Sequence, residues 1–218
     1  MKISRSIILF FLITVYYAHA EAKYTQEYRN DEITINVNSD KTYAIAVMDQ
    51  REVVLDHSQG IDFVGYLRSA TWIAYPIGTA SKNPFSQDVT YTIAGAIERS
   101  GANITRIQTD IDQTQEEVLK KLQESDADVL LLVTVNKWRS DTKSVGAKMT
   151  TEMTWDLTLN IYDKNGNSST ENNVEGIEGD LKPALSSTRS KRQAVIDKYY
   201  KEKLEELFSS GDVTEKLN

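Results

Sequence analysis

A chain of 218 residues with a formal charge of −7 and no cysteine excludes several classes of protein at once. That length can bury a core without covalent staples. The missing thiols remove disulfides, cysteine metal sites and a cysteine nucleophile, and the acidic balance argues against nucleic acid as a partner.

Lys2 and Arg5 precede an apolar run from Ile7 to Val15, and Ala18-His19-Ala20 supplies a small-x-small pattern. This is the three-part layout of a cleavable secretory signal, so residues 1–20 are expected to be removed before Glu21. A membrane span needs about 20 apolar residues, more than Ile7 to Ala20 provides. Loss of Lys2 and Arg5 takes the formal charge from −7 to −9. No cysteine stands at the new N-terminus to be acylated, so the expected product is periplasmic or secreted, with no stable membrane anchor.

Residues 21–40 are polar, with only Ile33, Ile35 and Val37 alternating, and read as a flexible leader ending in an edge strand. Tyr43 to Met48 is a short apolar run that suits a buried strand, which Arg51 to Leu55 extends or follows. Asp56 to Phe85 has no clear period but is rich in aromatics, and is expected to be a long ordered loop, the usual form of a binding loop or lid. Ser86 suits a helix N-cap; Val89, Ile93, Ala96 and Ile97 follow at helical spacing, and Gly101 closes the helix. Ile104 to Ile107 reads as a strand, and Thr114 with Glu117 has the spacing of a capping box.

Asp128 to Trp138 reads as a strand buried on both faces over its first half. Met153, Trp155, Leu157, Leu159 and Ile161 alternate with polar residues, the pattern of a strand with one wet face. Asn165-Gly166 marks a hairpin and Ser168 to Glu178 its returning edge strand. Ser186 to Phe208 closes as a helix ended by Gly211. The expected fold is α/β (α+β): one mixed sheet over residues 41–211 with helices mainly on one face, and a tail over 212–218. Strand–helix–strand–helix is followed by an antiparallel meander and a C-terminal helix.

No Gly-rich phosphate loop, nucleophile elbow or two-histidine metal pair occurs. No cofactor, metal or catalytic residue is therefore assigned. His57, the one histidine beyond the signal, sits in a polar turn. Asp110, Asp112, Glu116 and Glu117 cluster without the spacing of a calcium loop. Asp49, at the end of a buried strand, is the first acid to examine for a carboxylate-dependent hydrolase of cell-wall or surface glycans.

The better candidate is a binding constellation in the aromatic loop: Asp49, Arg51, Phe63, Tyr66, Arg68, Trp72 and Tyr75. Arg51 and Arg68 could pin the loop by pairing with Asp49 or Asp62, or offer guanidinium forks to an anionic partner. The aromatics could form a satellite core or an anchor set for another protein. The stretch from Asp49-Gln50-Arg51 through Phe63-Val64-Gly65-Tyr66-Leu67-Arg68 to Pro84 resembles little-characterised bacterial envelope proteins. The second half, from Val129 through Asn165-Gly166 and Val174-Glu175-Gly176 to the final helix, is similar to YajG-like lipoproteins, though the lipobox cysteine is absent. The resemblance implies a periplasmic mixed-sheet protein with no assigned activity. The expected role is a non-enzymatic module binding another envelope protein; the oligomeric state is open.

Overall fold

A computed structural model describes residues 24–29, 32–145, 148–183 and 189–218. The signal over 1–20 lies outside the described residues. The elements in chain order are β1 (Tyr24–Gln26), β2 (Thr42–Asp49), α1 (Glu52–Leu55), β3 (Phe63–Arg68), β4 (Ala74–Thr79) and α2 (Phe85–Arg99). They continue with β5 (Asn103–Ile107), α3 (Gln115–Gln123), β6 (Val129–Val145), β7 (Lys148–Asp163), β8 (Ser168–Pro183), α4 (Arg189–Phe208) and α5 (Gly211–Leu217). The described strands form one mixed sheet, β1-β4-β3-β6-β2-β5, with β7 and β8 continuing antiparallel from the other side of β6.

β2 is central because nearly every side chain in it is apolar. Parallel ladders run from it to β5 and to the first half of β6. Tyr43, Ile45 and Val47 join the larger core, beside Val89, Ile93 and Ile97 of α2 and Tyr200, Leu204 and Leu207 of α4. Ala44, Ala46 and Met48 face the other way, into a smaller core closed by Val118 and Leu122 of α3. The larger core lies on one face, as the alternation in β7 requires. β7 pairs with β6 and β8 along nearly its whole length, and the turn after it places Gly166 at φ 81°.

Several local expectations are corrected. The supposed loop from Asp56 to Phe85 holds the β3–β4 hairpin, whose alternation is broken by a bulge between Phe63 and Gly65. Arg51 is the N-cap of the single-turn α1, not part of a strand. Pro84, not Ser86, caps α2, its fixed φ preparing the first turn. β6 runs on past Trp138 to Val145.

Within the segment over 21–40, the described residues pack onto the sheet and the core. β1 pairs in parallel with β4, and Tyr28, Ile33 and Ile35 are buried in the larger core. Side chains of the helices satisfy this extended segment: Thr92 donates to the Tyr28 carbonyl, Arg99 to the Ile33 carbonyl, and Glu205 accepts from the Thr34 N–H. The tail over 212–218 is helical. Ser210 caps α5, Val213 and Leu217 are buried, and the Leu217 carbonyl accepts from Asn38 N–H and the Tyr43 hydroxyl. Gly211, expected to end the last helix, instead opens α5.

Candidate functional site

The seven residues expected to form one binding loop separate into an internal clamp and an outward hairpin. Asp49 ends β2, and Arg51 follows after one residue. The Arg51 guanidinium grips both carboxylate oxygens, Nε to Oδ1 at 2.8 Å and Nη2 to Oδ2 at 2.6 Å. Its Nη1 donates to the carbonyls of Phe63 and Trp138, tying the end of β2 to the start of β3 and the middle of β6. The Phe85 ring lies 5.0 Å from the guanidinium carbon, and Phe63 is buried. Arg51 is 2% exposed and Asp49 8%. Both oxygens of the Asp49 carboxylate are engaged by a buried arginine, so in this structure Asp49 acts as a clamp.

Tyr66, Arg68, Trp72 and Tyr75 lie on the hairpin. Arg68 pairs with neither Asp49 nor Asp62. It forms a fork with Asp141 of β6, with Nε and Nη2 at 2.9–3.1 Å from the carboxylate oxygens, and it lies 5.3 Å from the Tyr66 ring centre. The Asp141 hydrogen bonds push the guanidinium pKa up, against a smaller opposing effect of burial. Tyr75 meets Tyr24 of β1 edge-on. Ser69 ties the turn, accepting from the Ile73 N–H and bonding the Thr71 hydroxyl, while the Trp72 N–H donates to the Ser69 carbonyl. Trp72 sits in the left-handed region at φ 64° and is 60% exposed, with Ile73 55% exposed beside it. A bulky residue at positive φ is uncommon and costs about 1 kcal/mol or more.

The hairpin borders an open sheet face built from residues of β6, β7 and β8. Beyond a bulge at Asn136, β6 presents Lys137, Arg139, Asp141 and Lys143 opposite Asp156, Thr154, Glu152 and Thr150 of β7. Glu175 and Ile177 of β8 extend the same rows, and Ile177 is 70% exposed. Lys137–Asp156 at 3.7 Å and Lys143–Glu152 at 3.9 Å are cross-strand pairs of opposite charge. The wet alternation in β7 signalled this face. Asp141 lies 73 positions from Arg68, and no local pattern joins them.

Elsewhere, His57 is an exposed turn residue at φ 58°. Glu117 completes the capping box with Thr114, whose hydrogen bonds hold its carboxyl below the usual range. Among the described residues, no group of three or more histidines, cysteines or carboxylates is placed to hold a metal ion. No helix among them is long and apolar enough to cross a membrane.

Fold and surface thus define a mixed α/β protein with a clamped interior and an exposed hairpin beside a charged sheet face. Comparison with known protein families and with curated protein sequences finds no match. Among solved structures, the chain is similar to a neuraminyllactose-binding hemagglutinin homolog from Helicobacter pylori, with 9% identity and a TM-score of 0.45, over 84% of this chain and 90% of that one. It is similar to the PelC dodecamer from Paraburkholderia phytofirmans, with 12% identity and a TM-score of 0.39, over 81% and 91%. A lipoprotein from Neisseria meningitidis follows at 8% identity and a TM-score of 0.33, over 74% and 96%. Bacterial lipoproteins are therefore among its structural neighbours. Likeness this distant carries nothing about activity or partner.

Proposed function

We propose that this chain is an exported, envelope-associated binding module without enzymatic activity, docking another envelope protein through the β3–β4 hairpin. The reading joins the secretory pattern at residues 1–20 and the resemblance to YajG-like proteins with one carrying observation. That observation is Trp72, held at a strained backbone position where its indole and Ile73 project into solvent. An exposed tryptophan with an aliphatic neighbour fits the apolar socket of a protein partner, where such residues supply most of the binding energy. The Arg68–Asp141 fork fixes the hairpin against β6, so the tip is held in advance of binding.

The test places a photo-crosslinking amino acid at Thr71 in the intact chain, expressed in cells with its signal. A discrete protein adduct is expected, and it should be lost in the Trp72→Gly and Ile73→Ser variants. Trp72→Gly should also keep the fold within about 1 kcal/mol of wild type, since glycine accepts a left-handed φ without strain. Adducts that persist unchanged in both variants, or that form only from the charged sheet face, would rule out the hairpin as the docking element.

A further inference from the structure

Away from the hairpin, the outer side of α2, the edge strand β5 and the extended segment at Arg29 enclose a groove of about 480 Å³. Its lining includes Arg29, Tyr91, Gly95, Glu98, Arg99 and Arg106. At Tyr91 and Arg106 it adjoins a second hollow of about 430 Å³ that reaches Gln108 and Asp110. We propose that this groove binds a small oxyanion ligand, one carrying a phosphate or carboxylate group.

Three guanidinium groups from three separate parts of the chain converge here, although the chain as a whole carries a formal charge of −7. Each is steered into place. Arg29 donates from Nε to Asp88 at 3.0 Å, and Asp88 is itself wholly buried and held by the Ser81 hydroxyl. Arg29 and Arg106 both lie over the Tyr91 ring, at 4.4 and 5.5 Å from its centre. Arg99 donates to the Ile33 carbonyl. A side chain at position 95 would put its Cβ 3.2 Å from the Arg99 guanidinium, so Gly95 leaves room for that group to lie across the helix.

Arg29 and Arg106 each spend one nitrogen on their acidic partner in these pairs, while a guanidinium carries five N–H donors. Forked donors of this kind match the paired oxygens of phosphate and carboxylate. The volume lies within the range of small-ligand sites. Glu98 holds Arg106 at 2.7 Å, but both side chains are substantially exposed, at 45% and 35%. Exposed pairs of this kind are weak, so Glu98 occupies the groove as a competitor that an incoming oxyanion displaces.

Calorimetric titration of the full chain with inorganic pyrophosphate, and separately with citrate, at low ionic strength tests the proposal. Saturable binding of at least one probe is expected; a preference between them separates phosphate from carboxylate chemistry. Arg106→Gln and Arg99→Gln should each weaken it about tenfold, the loss of one charge-assisted fork. Glu98→Gln removes the competitor and should tighten binding by about threefold or more, a gain that a merely structural role would not produce. Arg139→Gln, on the remote sheet face, should leave affinity unchanged. Circular dichroism and melting curves confirm that the variants fold. Absence of saturable binding for both probes, or equal affinity in wild type, Arg106→Gln and Glu98→Gln, would overturn the proposal.

Discussion

Replacing Arg51 by methionine distinguishes a scaffold role for Asp49 from a chemical one. Methionine keeps much of the stem but leaves the 8% exposed Asp49 carboxylate without the guanidinium that holds both its oxygens at 2.8 and 2.6 Å. The carbonyls of Phe63 and Trp138 lose a donor at the same time. Removing one partner of a buried ion pair costs about 3–5 kcal/mol, and a stranded carbonyl adds about 1 kcal/mol or more. A loss of about 5 kcal/mol or more is therefore expected, a large fraction of the total stability of an ordinary domain. Arg106→Met, which breaks the exposed pair with Glu98, should cost less than about 1 kcal/mol. The assay is urea unfolding followed by tryptophan fluorescence, with Asp49→Leu/Arg51→Met as the third variant. Exchange of a whole buried pair for apolar side chains is commonly neutral or better, so the double variant should be more stable than Arg51→Met alone. A loss below about 1 kcal/mol for Arg51→Met would refute the clamp. So would an Asp49→Asn variant of wild-type stability, the result expected of an acid used only in chemistry.

Gly65 sits at φ 154° in the bulge of β3, and a Cβ there would stand 2.0 Å from the Ser140 carbonyl oxygen. Since backbone cannot yield as a side-chain tip can, Gly65→Ala should cost about 3 kcal/mol in urea unfolding; a change under about 0.5 kcal/mol would contradict the close approach of β3 to β6. Carboxyl titration by NMR should split the aspartates about their ordinary value of 3.8. Asp163, accepting from the Asn167 side chain and from backbone N–H groups in its turn, should fall below it, while Asp88 and Asp197 should rise above it through burial. The Asp163 contribution to stability is present above 3.8 and lost as pH falls through its lowered midpoint. The Asp88 and Asp197 contributions are full below 3.8 and lost as pH rises through their raised midpoints. Indistinguishable midpoints for the three groups would defeat this assignment.

The features that were legible in the sequence are those written in adjacent residues. Thr114 and Glu117 close a capping box within one turn, the alternation in β7 needs no partner strand to be seen, and Asn165-Gly166 specifies its own turn. The β3–β4 hairpin was illegible for a local reason: the bulge at Gly65 breaks the two-residue period, and Pro76 reads as a loop residue. Among the described residues β1 pairs β4 from Ile77 onward, so the ladder described on that side makes no demand on the N–H that Pro76 lacks. The segment around Ile33 looked mobile because its backbone partners are side chains of helices far along the chain, such as Glu205. The candidate residues were found by type, but their division into clamp and tip was not. Arg51 has its partner Asp49 two residues before it, whereas Asp141, the partner of Arg68, lies 73 positions along the chain.

The path of the chain around β2 accounts for where the two proposed binding surfaces lie. From β2 it reaches β5 by way of α2 on one face, then returns to β6 by way of α3 on the other. In open α/β sheets such a reversal leaves a crevice outside the carboxyl ends of the strands, the usual place for a ligand. Here the chain closes that place itself. Asp49 and Arg51 fill it, Gln50 N–H donates to the Val135 carbonyl, and the Thr109 hydroxyl donates to the Val47 carbonyl. Exposed apolar and guanidinium groups are displaced to its two flanks, to Trp72 and Ile73 beyond β6 and to the arginine groove beyond β5. Two surfaces separated by a rigid clamp can be occupied at once, so a tip variant such as Trp72→Gly and a groove variant such as Arg106→Gln should each leave the other's binding intact.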